Sequence, residues 1–250
     1  MDTLIYLLAG LFLPLFPLSL PFNRLLAKSA SRWRRALLLL LWPQIGLALA
    51  GLAEGGVPSW ISPAALFTAA LYALRLLAMR DVVRWIGLLA TSAWALLWLA
   101  LEHHAFGTAE RHLFALWLSL PLMGAGLITG SLESRFGAAY AGLNMALASS
   151  LPRLSGVWVL TILAATATPL FPGFFVMINL MGASAPGAAA VVVLIWLFWS
   201  WGGARLTQGM IVGTRAPDAA ADLKLGVAWL YGLAITALAI TGLATIEVLV

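Results

Sequence analysis

The feature that most restricts the fold of this chain is the length of its uncharged apolar stretches. Between Ser155 and Ala204 no side chain is ionisable, and further apolar runs of about 20 residues follow one another along the sequence. Hydrophobic residues make up 63% of the chain and charged residues only 9%, against roughly 25% charged residues in soluble domains. Since the runs lack the alternation of barrel strands, they predict an all-α integral membrane protein.

The apolar runs predict one polytopic membrane domain over residues 1–250, with four spans in 1–101 and four in 111–250. The eight predicted spans are 4–22, 36–53, 61–79, 85–101, 111–132, 155–181, 188–206 and 225–248. All but one of the 14 lysines and arginines, the exception being Arg111, fall on the side that follows odd-numbered spans. By the positive-inside rule both termini then face outward, into the periplasm if the membrane is a bacterial inner membrane. The same bias explains a pI near 10.2 without a nucleic-acid partner.

Two further patterns concern the packing and the depth of the spans. Gly126 and Gly130 form a small-xxx-small pair in span five, which favours close contact with another helix. Several tryptophans fall near predicted span ends, as in the aromatic belts of membrane proteins. They are Trp33, Trp60, Trp85, Trp158, Trp201 and Trp229.

The sixth predicted span contains helix-breaking residues but no charge. The stretch TATPLFPGFFVMI, residues 166–178, includes Pro169, Pro172 and Gly173. Each proline removes a backbone donor, so we expect a broken helix whose freed groups are satisfied by the span's threonines. Asn179 is the amide that follows the break. The pattern is compatible with a kinked packing helix and with a site for binding or passage.

A polar cluster, EHHAFGTAERH, occupies residues 102–112 at the predicted outer ends of spans four and five. It contains Glu102, His103, His104, Glu110 and His112. A solvated loop is one interpretation. A mouth for protons is another, because histidine titrates near neutral pH. A metal site is a third, although the spacing matches no zinc signature and no cofactor is predicted. A haem held by two of these histidines is disfavoured because the ligands lie at helix ends.

A charged turn, residues 74–85, lies at the predicted inner ends of spans three and four. It contains Arg75, Asp81 and Arg84, with Arg80 between them. Asp81 can pair with Arg84 or Arg80, and the cluster is typical of a topology signal with surface ion pairs. With the outer cluster, the turn supplies the candidate residues for the two mouths of a proton path.

Several stretches resemble the proton-conducting antiporter-like family. They are LFLPLFPLSLPFNRLLA, LYALRLLAMRDVVRWIGLLATSAWALLWLAL, LMGAGLITGSLESRFG, AGLNMALASSLPRLSGVWVLTILAATATPLFPGFF and LFWSWGGARLTQGMIVG. This family includes the large membrane subunits of respiratory complex I, the Mrp-type cation/proton antiporters and the membrane subunit of DAB-type inorganic carbon accumulators. The resemblance is most specific over 114–215, and it implies an ion-conducting ancestor whose sixth span was broken at Pro169, Pro172 and Gly173.

The departures from the family pattern concern its charged residues. The family has two inverted repeats and this chain has room for about one. The family's Asp-Leu-Lys-Arg turn lacks its lysine here. The stretch LFALWLSLPLM, where family members carry a buried lysine, contains none. Only His112 lies near the position of the family's histidine. The acidic or basic residue that follows Pro-Gly-Phe in the family is replaced by Met177, Asn179 or Leu180.

These observations lead to two functional hypotheses. In the first, the chain is an accessory membrane subunit beside a full-length antiporter-like protein and does not conduct ions on its own. In the second, it is a stand-alone transporter that uses Glu110, His112 and the charged turn, with Asn179 in the middle. An enzyme is not expected, because no nucleophile–base pair is evident within the membrane.

Overall fold

The computed structural model describes residues 2–102, 106–142, 146–213 and 221–244. These residues form helices and loops and no strand; one isolated bridge joins Asp81 and Tyr140. The helices of the described residues are α1 Asp2–Phe12, α2 Leu20–Lys28, α3 Arg32–Ala50, α4 Ile61–Leu77, α5 Val82–Ala95, α6 Leu97–Glu102, α7 Thr108–Phe136, α8 Leu147–Ser150, α9 Pro152–Ala165, α10 Pro172–Ala183, α11 Pro186–Ile211 and α12 Leu225–Ala244. The predicted all-helical class is therefore confirmed.

Four helical stretches of the described residues are long and apolar enough to cross a membrane by length and composition. They are Val82–Glu102, which joins α5 and α6, and Thr108–Phe136, Pro186–Ile211 and Leu225–Ala244. Four shorter apolar helices accompany them: α1, α4, α9 and α10. The count of eight spans and the outward termini stay predictions.

The first predicted span, 4–22, is not one helix. It separates into α1 and α2, with residues 13–19 between them. Pro14 and Pro17 lie in this connection, and each lacks the N–H that would continue a helix. The backbone groups that the break leaves free find partners on other helices. The Phe16 N–H donates to Thr68 Oγ1 at 2.9 Å, and Trp98 Nε1 donates to the Leu13 carbonyl at 2.9 Å.

The centre of the bundle is the continuous stretch formed by α5 and α6. Of its most apolar segment 94% is buried, so almost every face of it packs against protein. Helices that are hydrophobic all round are expected at such positions. Its largest side chains, Trp85, Trp94 and Trp98, are fully buried. The core thus surrounds a helix that carries no charge between Trp85 and Leu101.

The small-xxx-small pair in α7 packs against α3, as the sequence predicted. A Cβ atom added at Gly126 would lie 3.0 Å from Leu39 Cδ1, and one added at Gly130 would lie 2.6 Å from Arg32 Cβ. A larger residue at Gly130 would therefore push the two helices apart, whereas one at Gly126 would displace the end of a leucine side chain. Pro43 and Pro121 lie inside α3 and α7, and both helices continue past them.

The last two helices lie at the edge of the bundle. Only 28% of the most apolar segment of α11 is buried, and only 6% of that of α12. Both display large apolar side chains: Leu194, Leu197, Trp201, Trp229, Leu233 and Ile240. This surface requires lipid or another apolar protein as its environment.

The prediction that six tryptophans form aromatic belts is wrong for two of them. Trp85 and Trp158 are fully buried, and their Nε1 atoms have no hydrogen-bond partner in the described part of the chain. Trp33, Trp60, Trp201 and Trp229 are exposed, as a belt requires. Nearness to a span end does not determine which face of the helix a side chain occupies, and the buried two face other helices.

Candidate functional site

The candidate site is the break between α9 and α10, which the sequence placed correctly. Helix α9 ends at Ala165, and α10 begins at Pro172 with Gly173 second. Pro169 lies in the connection. Within it Ala167 and Leu170 adopt left-handed backbone angles, with φ of 55° and 89°. Two non-glycine residues in this region make the connection a strained turn.

The threonines at the break bond back to their own helix, but the carbonyls they reach already accept the N–H groups of Thr166 and Thr168, so the prediction that they satisfy the freed backbone is not confirmed. Thr166 Oγ1 donates to the Ile162 carbonyl at 3.0 Å, and Thr168 Oγ1 donates to the Leu163 carbonyl at 3.0 Å. A third donor was not foreseen. Trp196 Nε1 of α11 contacts the carbonyls of Thr166 and Ala167 at 3.1 and 3.2 Å. The break is therefore held by the neighbouring helix as well as by its own side chains.

Glycines on two helices allow the backbone of the break to be packed closely. A Cβ atom added at Gly203 of α11 would lie 2.7 Å from Thr166 Cγ2. One added at Gly242 of α12 would lie 2.4 Å from the Leu170 carbonyl oxygen. These contacts leave no space for side chains, so α11 and α12 both pack directly on the break, while the side chains of Pro169 and Leu170 are exposed.

The positions after the break carry no ionisable group. Met177 and Leu180 are fully buried, and Asn179 is half-buried. Among the described residues the Asn179 side chain has no hydrogen-bond partner. The resemblance placed the family's charge carrier at one of these three positions, and here two of them form part of the hydrophobic core.

A chain of neutral polar groups runs beside the central helix. Asn23 Nδ2 donates to Thr91 Oγ1 at 2.9 Å and to the Ser19 carbonyl at 3.1 Å. The hydroxyl groups of Ser19 and Tyr72 lie 2.6 Å apart. These groups bind one another and the backbone, which is the usual condition for burying polar atoms. These hydrogen-bonded groups could not be identified from the sequence, because they come from distant segments.

Two tryptophan–serine pairs complete the polar contacts of the core. Trp199 Nε1 donates to Ser92 Oγ at 2.9 Å, and Ser92 Oγ donates to the Ala69 carbonyl at 2.7 Å. Trp94 Nε1 donates to Ser119 Oγ at 3.0 Å. Each pair joins two helices through neutral groups.

The outer cluster does not form one site in the described residues. Glu102 accepts a hydrogen bond from Ser62 Oγ on α4. Glu110 accepts one from the Gly107 N–H at 2.6 Å and so caps the start of its own helix. His103 and His104 lie outside the described residues. Over the described ranges, no group of three or more His, Cys, Asp or Glu side chains could hold a metal ion.

His112 pairs with Gln44 across α3 and α7. Gln44 Nε2 donates to the His112 carbonyl at 3.1 Å, while Gln44 Oε1 lies 2.6 Å from His112 Nδ1. Because the amide oxygen can only accept, the Nδ1 atom carries the proton. The pair is half-buried and links α3 to α7.

The inner turn is a structural junction. Asp81 caps α5 by accepting from the Arg84 N–H at 3.0 Å, and the two side chains pair at 3.8 Å, as expected. The Arg75 guanidinium lies 5.4 Å from the centroid of the Tyr72 ring. Backbone hydrogen bonds from Val82 to Ala139 and from Ala141 to Arg80 tie the turn to the loop after α7. Exposed Arg75 and Arg84 do not approach the broken helix.

The more deeply buried of the two ion pairs in the described residues was not predicted. Arg35 of α3 donates from its Nη1 to Glu133 Oε2 of α7 at 2.7 Å, with side-chain exposures of 7% and 28%. Its Nε also donates to the Ser29 carbonyl at 2.6 Å. In the sequence Arg35 is only one of the basic residues that indicate topology, since nothing there links positions so far apart.

Comparisons with known proteins identify the fold. No protein-family model matches the sequence, and no curated protein matches it. A chain of respiratory complex I from Thermus thermophilus with bound NADH is similar at a TM-score of 0.78 and 22% identity, covering 95% of this chain and 53% of that one. A chain of the Mrp complex from Dietzia sp. DQ12-45-1b is similar at 0.76 and 16% identity, covering 88% and 44%. The chain thus spans about half the length of these proteins, and the fold implied by the resemblance is confirmed.

Proposed function

We propose that the chain is an accessory integral-membrane subunit of a proton- or cation-driven transport complex. The complex is of the DAB type for inorganic carbon accumulation or is similar to complex I. In this proposal eight spans cross a bacterial inner membrane with both termini outside. The partner is a full-length antiporter-like protein, and the accessory chain does not conduct ions on its own.

The observation that carries this proposal is the absence of titratable groups around the broken helix. A proton path through hydrocarbon requires titratable groups or water at close intervals. Between Ser155 and Ala204 the sequence supplies none. Every carboxylate of the described residues lies in a loop or in the first or last turn of a helix. On the α11 side of the break, Trp196 binds the carbonyls of Thr166 and Ala167, so these groups are satisfied without water.

The length and the exposed helices of the chain support a membrane-protein partner. The chain corresponds to about half of the proteins whose fold it shares. Its peripheral helices α11 and α12 display an apolar surface that a second membrane protein can cover. A partner docked on this surface would exclude lipid from it. The broken helix would then serve to pack the subunit rather than to conduct ions.

Two measurements on the same preparation test the proposal. The tagged chain is solubilised from its native membrane in mild detergent, and we expect an antiporter-like membrane protein to co-purify with it. The isolated chain is then reconstituted into liposomes with a pH-sensitive dye, and we expect no proton flux above that of empty vesicles. A protonophore shows that each vesicle preparation is sealed. Isolation of the chain without partners, or flux from the chain by itself, would contradict the proposal.

The alternative is a stand-alone proton or cation transporter, and the half-buried His112–Gln44 pair favours it. Glu110 and His112 would then form the outer mouth, and Arg75, Asp81 and Arg84 the inner one. In this case the reconstituted chain conducts, and Glu110→Gln abolishes the flux. Glu54→Gln is the matched control, because Glu54 is exposed and lies in the preceding outer loop.

A further inference from the structure

A large apolar cavity lies between α7, α9 and α12. Its volume is about 630 Å³, within the range of about 300–1,000 Å³ typical of ligand pockets. Trp117 and Pro121 of α7, Thr161 of α9 and Leu238 of α12 contribute to its walls. The space is half open to the surroundings, so it forms a groove that a molecule of the bilayer can enter from the side.

The cavity exists because α12 packs on α9 and α10 with small residues at the facing positions. Gly124 of α7, Ala164 of α9 and Ala234 and Ala237 of α12 line the space. None of them reaches across the gap between the helices. Filling the space with apolar atoms would restore the dispersion contacts that its lining now lacks.

The one charged side chain that lines the space among the described residues lies at one end of it. Arg32 and Trp33 lie at the start of α3, and Arg32 is exposed with its guanidinium 5.7 Å from the Trp33 ring centroid. No carboxylate of the described residues lies within ion-pair distance of Arg32. Lys224 precedes α12 one turn before its first lining residue, Val227. An apolar groove that ends at an exposed arginine and an exposed tryptophan complements an anionic lipid.

The length of the groove also fits a lipid chain. Its lining on α12 extends from Val227 to Thr241, which is about 21 Å at a rise of about 1.5 Å per residue. One leaflet provides about half of the roughly 30 Å hydrocarbon core, so the groove accommodates an acyl chain over its whole depth.

We propose that this groove binds an anionic phospholipid of the surrounding bilayer, with an acyl chain between α7 and α12 and the phosphate at Arg32. A guanidinium binds phosphate through charge-assisted hydrogen bonds. The net positive charge at this end of the groove favours headgroups that carry no compensating cation. The lipid fills the gap beneath α12 and fixes this peripheral helix to the bundle. This inference is independent of whether the chain conducts ions.

Native mass spectrometry of the full chain tests the site. The delipidated protein is incubated with phosphatidylglycerol or phosphatidylcholine of identical acyl chains, and the lipid retained per chain is counted. We expect about tenfold preference for phosphatidylglycerol, because phosphatidylcholine carries the same phosphate but adds a cationic choline group that Arg32 and Lys224 repel. Arg32→Gln should remove this preference and leave residual binding of both lipids. Ala237→Phe should reduce retention of both, because the ring occupies the groove.

Two matched variants control for general effects of charge and size. Arg34→Gln removes an exposed arginine of the same helix that does not line the groove, and Thr236→Phe adds a ring on another face of α12. Both should bind lipid like the wild type. Equal retention of the two lipids by the wild type, or unchanged retention by Ala237→Phe, would overturn the proposal. The proposal would also be overturned if a photo-cross-linker at position 237 captured a membrane protein rather than lipid in native membranes.

Discussion

The ion pair between Arg35 and Glu133 offers the sharpest test of how the bundle is held together. It joins the first turn of α3 to the last turn of α7, and the Arg35 side chain is only 7% exposed. The small space beside Arg35, lined by Leu39 and Val83 among others, has no room for a water molecule. Removal of Glu133 therefore leaves a guanidinium that the protein interior cannot readily hydrate.

The expected magnitude follows from this geometry. Removing one partner of a buried pair costs about 3–5 kcal/mol. Because Glu133 is 28% exposed, water partly replaces it, and we expect about 2–3 kcal/mol for Glu133→Ala. This corresponds to a decrease in Tm of about 4–12 °C for a chain of this size. Glu133→Gln keeps an acceptor oxygen and should cost about 1 kcal/mol.

Thermal unfolding in detergent, followed by the fluorescence of the 12 tryptophans, measures these differences. The double variant Arg35→Met/Glu133→Leu replaces both charges with apolar groups and should unfold near the wild-type Tm. Arg84→Gln is the control, because it breaks an exposed pair worth about 0–1 kcal/mol. The reasoning is refuted if Glu133→Ala and Glu133→Gln are equally stable, or if the double variant is less stable than Glu133→Ala.

Further predictions concern the packing of α10 and α11. Gly203→Ala should destabilise the protein by about 1–3 kcal/mol, because the added methyl group would overlap a threonine methyl group at the break. Gly182→Ala, which meets no atom within 4 Å, should instead raise the Tm through its better helix propensity. Trp199→Phe should cost at least about 1 kcal/mol, since it removes the hydrogen bond to Ser92. Exposed Trp201→Phe should leave the Tm unchanged. Thermal unfolding measures all four variants, and equal effects at the buried and exposed positions would contradict the observed packing.

The all-helical class and the broken helix could be predicted because each depends on local sequence. Long uncharged apolar runs require a helix in lipid, and Pro169 and Pro172 remove backbone donors wherever they occur. The first span shows where this reasoning was incomplete. Pro14 and Pro17 carry the same signal, yet the apolar run was interpreted as one helix.

The partners of the candidate residues could not be predicted. Trp196 reaches the break from α11, and His112 meets Gln44 from another helix. Periodicity identifies a helix but not its rotation within a bundle that is apolar on every side. For this reason the burial of Trp85 and Trp158 was also missed.

The sequence by itself determined that this chain is a helical membrane protein and that no titratable group lies from Ser155 to Ala204. Both properties follow from composition along a single segment and hold for any packing of the helices. Only the tertiary structure decided that α5 and α6 form the centre, that Arg35 meets Glu133, and that a groove opens beneath α12. These features depend on which helix faces meet, and contacts between distant segments are set by the packing of the whole bundle.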